Sequence, residues 1–267
     1  MRLARPAAVL VAVCVAASPA RAADEPPVPL TYDWAVDGVV TGAFAASALT
    51  LMLLRDDLGP LQCKWCTPGS VDGDVARSVA WANPKAASTL SDVLQVALPL
   101  GALAYGVVEG YRLGQPSAGW SGALIVVESV SIAMLVNTAV KYAVGRARPY
   151  VWMGTPDLYG NPHDANLSFF SGHVTFAFAT AVSAGTVFMM QKLPGAPIVL
   201  GVGLGVAAFT SYLRMAAEQH YLTDVLAGAA IGSLVGWAVP VLFHPPRKGA
   251  PQPGALMPTP AGIAIAW

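Results

Sequence analysis

Six long apolar stretches divide this chain. They run approximately Gly38–Leu54, Ala87–Val108, Ser121–Val144, Val174–Met190, Ile198–Leu213 and Val225–Phe243. Each is too long for a typical strand and long enough for a helix. Ala, Leu and Val dominate, with glycine inside most of them. Small residues let membrane helices approach closely. The pattern predicts an all-α fold, a bundle of about six apolar helices embedded in a membrane. Asp92, Glu128 and Asn137 interrupt these stretches. They are expected to face the bundle interior, where a partner can satisfy them. A soluble periplasmic bundle with a buried core is the other reading open at this point.

Composition favours the membrane. Only 11% of residues are charged, against roughly 25% in an ordinary soluble domain. The formal net charge is zero, so no field marks a nucleic-acid partner. Protein partners leave no signal. Arg2 and Arg5, the apolar run Ala7–Ala17 and Ala20-Arg21-Ala22 read as a signal peptide over residues 1–22. The helical domain is then 30–243, and a Pro/Gly-rich tail follows at 244–267. The alternation Ile263-Ala264-Ile265-Ala266-Trp267 within the tail predicts a small strand. No internal repeat is visible. Of three cysteines, Cys14 lies in the signal, leaving Cys63 and Cys66. An exported chain meets an oxidising compartment, so this pair is expected to form a disulfide.

Candidate chemistry is concentrated at helix ends. Lys141 and Arg148 close the third stretch, Ser171-Gly172-His173 opens the fourth, Arg214 closes the fifth, and His220 and Asp224 open the sixth. Alternate ends of an up-and-down bundle share a side, so all of these residues fall at one face. The spacing puts Lys141 and Arg148 two helical turns apart on one side, and Pro149 biases Arg148 away from helix, so the helix is expected to end there. It puts His220 and Asp224 at i and i+4, where a carboxylate can hold one imidazole nitrogen and leave the other free. Gly172 lets backbone approach a ligand at a helix start, itself an anion site. Phosphoryl transfer needs cations on the equatorial oxygens, an in-line nucleophile and an acid for the leaving group. Lys141, Arg148 and Arg214 supply the first, and two histidines can divide the other roles. His163 and Asp164 read as ordinary loop residues, and His244 lies at the far end of the sixth stretch, away from this face.

These stretches resemble the signature of the type 2 phosphatidic acid phosphatase and vanadium haloperoxidase superfamily. Lys141 and Arg148-Pro149 match its first motif. Phe170-Ser171-Gly172-His173 matches the second except that Phe170 stands for proline. Leu213-Arg214, His220 and Asp224 match the third except that Leu213 stands for serine, and Val225-Leu226-Ala227-Gly228 is also similar to the family. The likeness covers roughly Val136 to Gly232. It implies a phosphatase acting through a phosphohistidine on His220, with Asp224 orienting that ring and His173 protonating the leaving alkoxide. Lys141, Arg148, Ser171, Gly172 and Arg214 would bind the phosphoryl oxygens. The phosphatase branch implies no metal and no cofactor. A lipid phosphate or pyrophosphate is the substrate expected of a membrane-embedded site.

Other functions fit the same residues. They are a soluble periplasmic acid phosphatase on small phosphomonoesters, a vanadate-dependent haloperoxidase, a phosphotransferase, and a membrane protein that binds phospholipid without turnover. Sidedness is in conflict. A cleaved signal followed by six crossings puts the site face in the cytoplasm, whereas a disulfide on that face puts it in the periplasm. Either Gly38–Leu54 does not cross, or it is the first span from a cytoplasmic start. The expectation is a periplasm-facing site in a multi-pass inner-membrane protein.

Overall fold

The computed structural model describes residues 26–247, 256–259 and 262–265; the signal segment lies outside them. The helices are α1 (Trp34–Leu53), α2 (Arg55–Leu58), α3 (Ser70–Val79), α4 (Pro84–Arg112), α5 (Pro116–Val144), α6 (Pro149–Trp152), α7 (Gly172–Met190), α8 (Ala196–Ala216) and α9 (Leu222–Phe243). Among the described residues six of these, α1, α4, α5, α7, α8 and α9, are long and apolar enough to cross a membrane. They are the six apolar stretches of the sequence, lengthened by their caps. Asp33 starts α1 by accepting from the Ala35 and Val36 N–H groups, and Asn83 with Pro84 starts α4. Beyond the bundle, Gly262–Ile265 pairs antiparallel with Leu256–Thr259, so residues 263–265 of the alternating stretch form a strand, and 266–267 lie outside the described residues.

α7 is the axis of the bundle. In its most apolar stretch 67% of residues are buried, against 11% in α1. It packs against α9, α8, α5 and α4. The α7–α9 contact is a ridge of small residues. A Cβ added to Gly228, Gly232 or Gly236 would meet backbone of α7 or its cap: Ser171 O at 2.9 Å, Thr175 O at 2.5 Å and Ala179 O at 2.7 Å. Only glycine permits that approach, which sets the start of α9 directly beside the start of α7.

The outer faces are apolar. Val93, Val96 and Leu100 of α4, Ile198 and Val202 of α8, and Leu226, Leu234 and Trp237 of α9 are all exposed. Exposed apolar residues on every long helix are costly in water and ordinary in lipid, so the soluble reading is set aside. α1 runs the whole depth of the bundle. At one end Asp37 approaches His244, and at the other the Tyr142 hydroxyl donates to the Leu51 carbonyl.

α5 ends at Val144, and Gly145 takes the left-handed conformation with φ 57°. Arg148 lies beyond the helix in extended backbone, as Pro149 implies, and not on the face of α5. The connection after α1 contains α2, α3 and the expected Cys63–Cys66 disulfide, with Cα atoms 5.2 Å apart.

Candidate active site

The ends of α4, α5, α7 and α8 and the turn before α9 enclose a cavity of about 350 Å³, lined among others by Lys141, Arg148, Gly172, His173, Arg214 and His220. Ser171 and Asp224 are fully buried behind this wall. Chain segments far apart in sequence thus bring all eight candidates to one end of the bundle. Asn137, on α5, helps to fix the wall by donating to the Phe170 carbonyl at 2.7 Å.

The cations are held with donors to spare. Lys141 Nζ donates to the Leu167 carbonyl at 2.8 Å, one of its three available hydrogens. Arg148 donates from Nη2 to Asp164 Oδ1 at 2.8 Å and from Nη1 to Gln219 Oε1 at 2.6 Å. Arg214 Nη1 donates to Ser91 Oγ at 3.0 Å. Two buried polar atoms of the site, Arg214 Nε and Ser171 Oγ, have no partner within the protein. Buried donors are rarely left so, and here they flank the first turn of α7, whose leading N–H groups also lack carbonyl partners.

His220 is buried at the centre. Its Nδ1 lies 2.8 Å from the Ser168 carbonyl, which can only accept, so Nδ1 carries the hydrogen. Nε2 keeps its lone pair and faces Arg148 Nη1 at 3.3 Å. Burial, then the positive charges of Arg148, Lys141 and Arg214, push the His220 pKa well below its usual value. The ring is therefore neutral, with a free nitrogen aimed among three cations. His173 Nε2 contacts Asp92 Oδ1 at 2.7 Å, and the same oxygen lies 3.7 Å from Arg214.

Asp224 is placed differently from the sequence expectation. α9 begins only at Leu222, so His220 and Asp224 are not successive turns of one helix. The Asp224 carboxylate is 3.6 Å from His220 Nδ1, and the ring is oriented by the Ser168 carbonyl instead. Asp224 accepts from Ser168 Oγ at 2.5 Å, Tyr221 N at 2.9 Å and Arg146 Nη1 at 2.5 Å. It supports the ring through Ser168 and through its charge.

Sequence reasoning missed several members. Asp164 is no ordinary loop residue. Its carboxylate would be pushed up by burial, but Arg148 and Lys141 outweigh that and hold it below its usual value. Asp92 faces the cavity rather than a helix neighbour. Ser168, Gln219, Arg146 and Asp72 were unmarked. A charged residue in so apolar a chain was the one available signal for Arg146; for Asp72 there was none. Among the described residues, one cluster of Asp37, Glu128 and His244 has metal-ligand types within 4.8 Å of one another. It lies at the opposite end, and its imidazole is already engaged by Thr31 O and Glu128.

Known proteins match parts of this chain. The family model for the PAP2 superfamily matches residues 122–248. The chain is 32% identical over 145 residues to a lipid A 1-phosphatase of Porphyromonas gingivalis, covering 52% of this chain and 29% of that protein. It is 29% identical over 114 residues to an undecaprenyl-diphosphatase of Sulfolobus acidocaldarius, covering 43% and 52%. The chain thus spans at most about half the length of these curated relatives. A transmembrane PAP2-type phosphatidylglycerolphosphate phosphatase from Bacillus subtilis superposes with a TM-score of 0.49 at 15% identity, over 73% of this chain and 93% of that one.

Proposed function

From the match of residues 122–248 to the PAP2 superfamily model, we propose that this chain is a multi-pass membrane phosphatase of that family, hydrolysing a lipid phosphate or pyrophosphate through a phosphohistidine. The observation that carries this reading is a neutral, buried His220 facing Arg148 in a cavity also lined by Lys141, His173 and Arg214, with Arg214 Nε and Ser171 Oγ buried without a partner. A phosphoryl group fits that set. Its oxygens would take Arg214 Nε, Ser171 Oγ, the spare hydrogens of Lys141 and Arg148, and the N–H groups around Gly172.

His220 Nε2 would attack phosphorus as the bond to the leaving oxygen breaks. His173 would give its proton to that oxygen, releasing the lipid alcohol or, from a pyrophosphate, the lipid monophosphate. Water, deprotonated by His173, would then attack the phosphohistidine and release inorganic phosphate with His220 neutral again. Asp224 and Ser168 would hold the ring while it carries extra positive charge. A lipid substrate suits a cavity at the ends of lipid-facing helices, where a headgroup reaches the polar site while its chains stay in the bilayer. The lipid A 1-phosphatase and undecaprenyl-diphosphatase among its relatives act on such amphiphiles by name.

The Cys63–Cys66 disulfide packs against the site face, with Lys64 N donating to the Gly145 carbonyl at 2.8 Å. That supports a site facing an oxidising compartment. Because α1 runs the full depth, residue 33 then lies on the opposite, cytoplasmic face, and α1 is the first crossing of the bundle. Thiol labelling of intact cells checks this: free Cys63 labelled only after lysis would reverse the orientation. A cytoplasmic residue 33 means that residues 1–22 are not a cleaved signal; in the rest of the domain plan, 30–243 and 244–267, residues 244–247 pack on the bundle through Thr31 and Pro29.

The direct test is phosphate release from phosphatidic acid and from an isoprenyl pyrophosphate by purified protein in EDTA, beside His220→Ala. Chelator-resistant release that disappears in the variant is expected. No release by folded wild type, with phospholipid still bound, would favour a binding protein.

A further inference from the structure

Beneath His220 lies a buried cluster of which the chemistry above uses only Asp224. Arg146, 1% exposed, is sandwiched between the Trp65 ring at 3.8 Å and the Tyr221 ring at 4.3 Å. Its edges are bracketed by carboxylates: Nη1 donates to Asp224 Oδ1 at 2.5 Å and Nη2 to Asp72 Oδ2 at 2.7 Å. Asp72 also accepts from Thr223 N at 3.0 Å and Thr223 Oγ1 at 2.6 Å. Guanidinium, amide and hydroxyl groups all donate to these two carboxylates, so both are ionised. The cluster therefore holds two negative charges and one positive.

That balance of charge bears on the nucleophile. Arg146 alone would cancel Asp224 and leave His220 with no net negative charge below it. His220 is otherwise faced by cations and by a second imidazole: Lys141 from α5, Arg148 ahead of α6, His173 from α7 and Arg214 from α8. Asp224 from α9 is the carboxylate nearest to it among its ion pairs. We propose that Asp72 is a positioning residue for the nucleophile: by pairing with Arg146 it restores a net charge of about −1 beneath His220, favouring the ring as it gains positive charge on phosphorylation. This rests on the reading of His220 as nucleophile.

Asp72 arrives from outside the family-matched residues 122–248. It sits on α3, whose segment is docked by the disulfide loop. Ala147 N donates to Trp65 O at 3.0 Å, and Lys64 Nζ reaches the Ala143 carbonyl at 3.1 Å. The extramembrane segment thus clasps the stretch between Lys141 and Arg148 while inserting one carboxylate beside it.

The test is the pH profile of kcat/KM for wild type, Asp72→Asn, Arg146→Gln, the Asp72→Asn/Arg146→Gln double variant and His220→Ala, with one lipid phosphate in detergent micelles. Substrate ionisation is common to all. A negative charge favours the protonated ring, so removing one moves the acid limb to lower pH. Asp72→Asn, with cluster charge about 0, is expected to shift it down by about half to one pH unit and to lower kcat about tenfold with KM little changed. The double variant returns the charge to about −1 and should return the limb to the wild-type position, although kcat stays low. Arg146→Gln, at about −2, should move it upward. A limb that stays put in Asp72→Asn, or a double variant displaced as far as the single, overturns the proposal and leaves Asp72 a docking residue. Should Asp72→Asn not fold, equal limbs in Arg146→Gln and the double variant overturn it. Turnover surviving in His220→Ala sinks the nucleophile reading instead, whatever Asp72 does.

Discussion

The two ends of α9 each carry a buried histidine, and the two are opposites. His220 before the helix donates from Nδ1 to the Ser168 carbonyl at 2.8 Å, and His244 after it donates from Nδ1 to the Thr31 carbonyl at 2.9 Å. The second nitrogens differ. His220 Nε2 faces Arg148, whereas His244 Nε2 meets Glu128 Oε2 at 3.0 Å. Burial lowers the pKa of both rings. At His220 the cations add to it; at His244 the Glu128 carboxylate, the Thr31 carbonyl and Asp37 outweigh it and raise the value. One ring is a neutral base with a usable lone pair, the other a cation with both hydrogens committed. Burial does not make a histidine reactive; the sign of the surrounding charge does.

The largest expected effect separates the two by function. His220→Ala should cut kcat by at least ~10³-fold, measured as phosphate release in EDTA, with the melting temperature little changed. His244→Ala should leave kcat within a few-fold. It should instead cost stability, about 3 kcal/mol, because Glu128 is left buried without its partner. Thermal unfolding in detergent measures it. Glu128→Gln with His244→Gln should cost less than the two single changes added, as a coupled pair requires. An additive result would mean the pair is not an ion pair.

A change midway should touch both ends. Gly232 lies twelve residues from each histidine and against the Thr175 carbonyl. Gly232→Ala should push α9 off α7 and cost about 1–3 kcal/mol, with kcat falling in the same variant. Unchanged melting would show that the helices can separate freely there.

The smallest effect is in pH. His244 has a raised folded pKa, so its stabilisation is complete below the unfolded value of about 6.5 and is lost as pH rises through the folded value. His220 has a lowered folded pKa, so its contribution is present above about 6.5 and is lost as pH falls toward the folded value. The stability deficit of His244→Ala should therefore shrink on going from pH 6 to pH 9. His220→Ala should melt closer to wild type at pH 5 than at pH 8. Parallel melting curves across pH would break the contrast.

Much of this was legible in the chain. The apolar stretches marked six helices, because a segment crossing lipid must satisfy its own backbone and cover itself with apolar side chains. Lys141, Arg148, Ser171, Gly172, His173, Arg214, His220 and Asp224 stood out because alternate helix ends must share a face. Errors arose where contact replaced spacing. Pro149 marked the end of the third helix near Arg148, but Gly145 ends it earlier. Asp224 was expected to hold His220 directly; it lies 3.6 Å from Nδ1, whose hydrogen bond goes to the Ser168 carbonyl. Asp164 was passed over because nothing local shows that its loop folds back onto Arg148.

The sequence by itself determined the helices, their order and the face on which cations and histidines gather, since these follow from local periodicity and from up-and-down connection. Only the tertiary structure decided which nitrogen of His220 is free, which of two histidines is charged, and that Asp72 reaches Arg146 and Asp224. Those outcomes depend on charges brought together from positions 72, 146 and 224, and electrostatic energy depends on distance in space, not on separation along the chain.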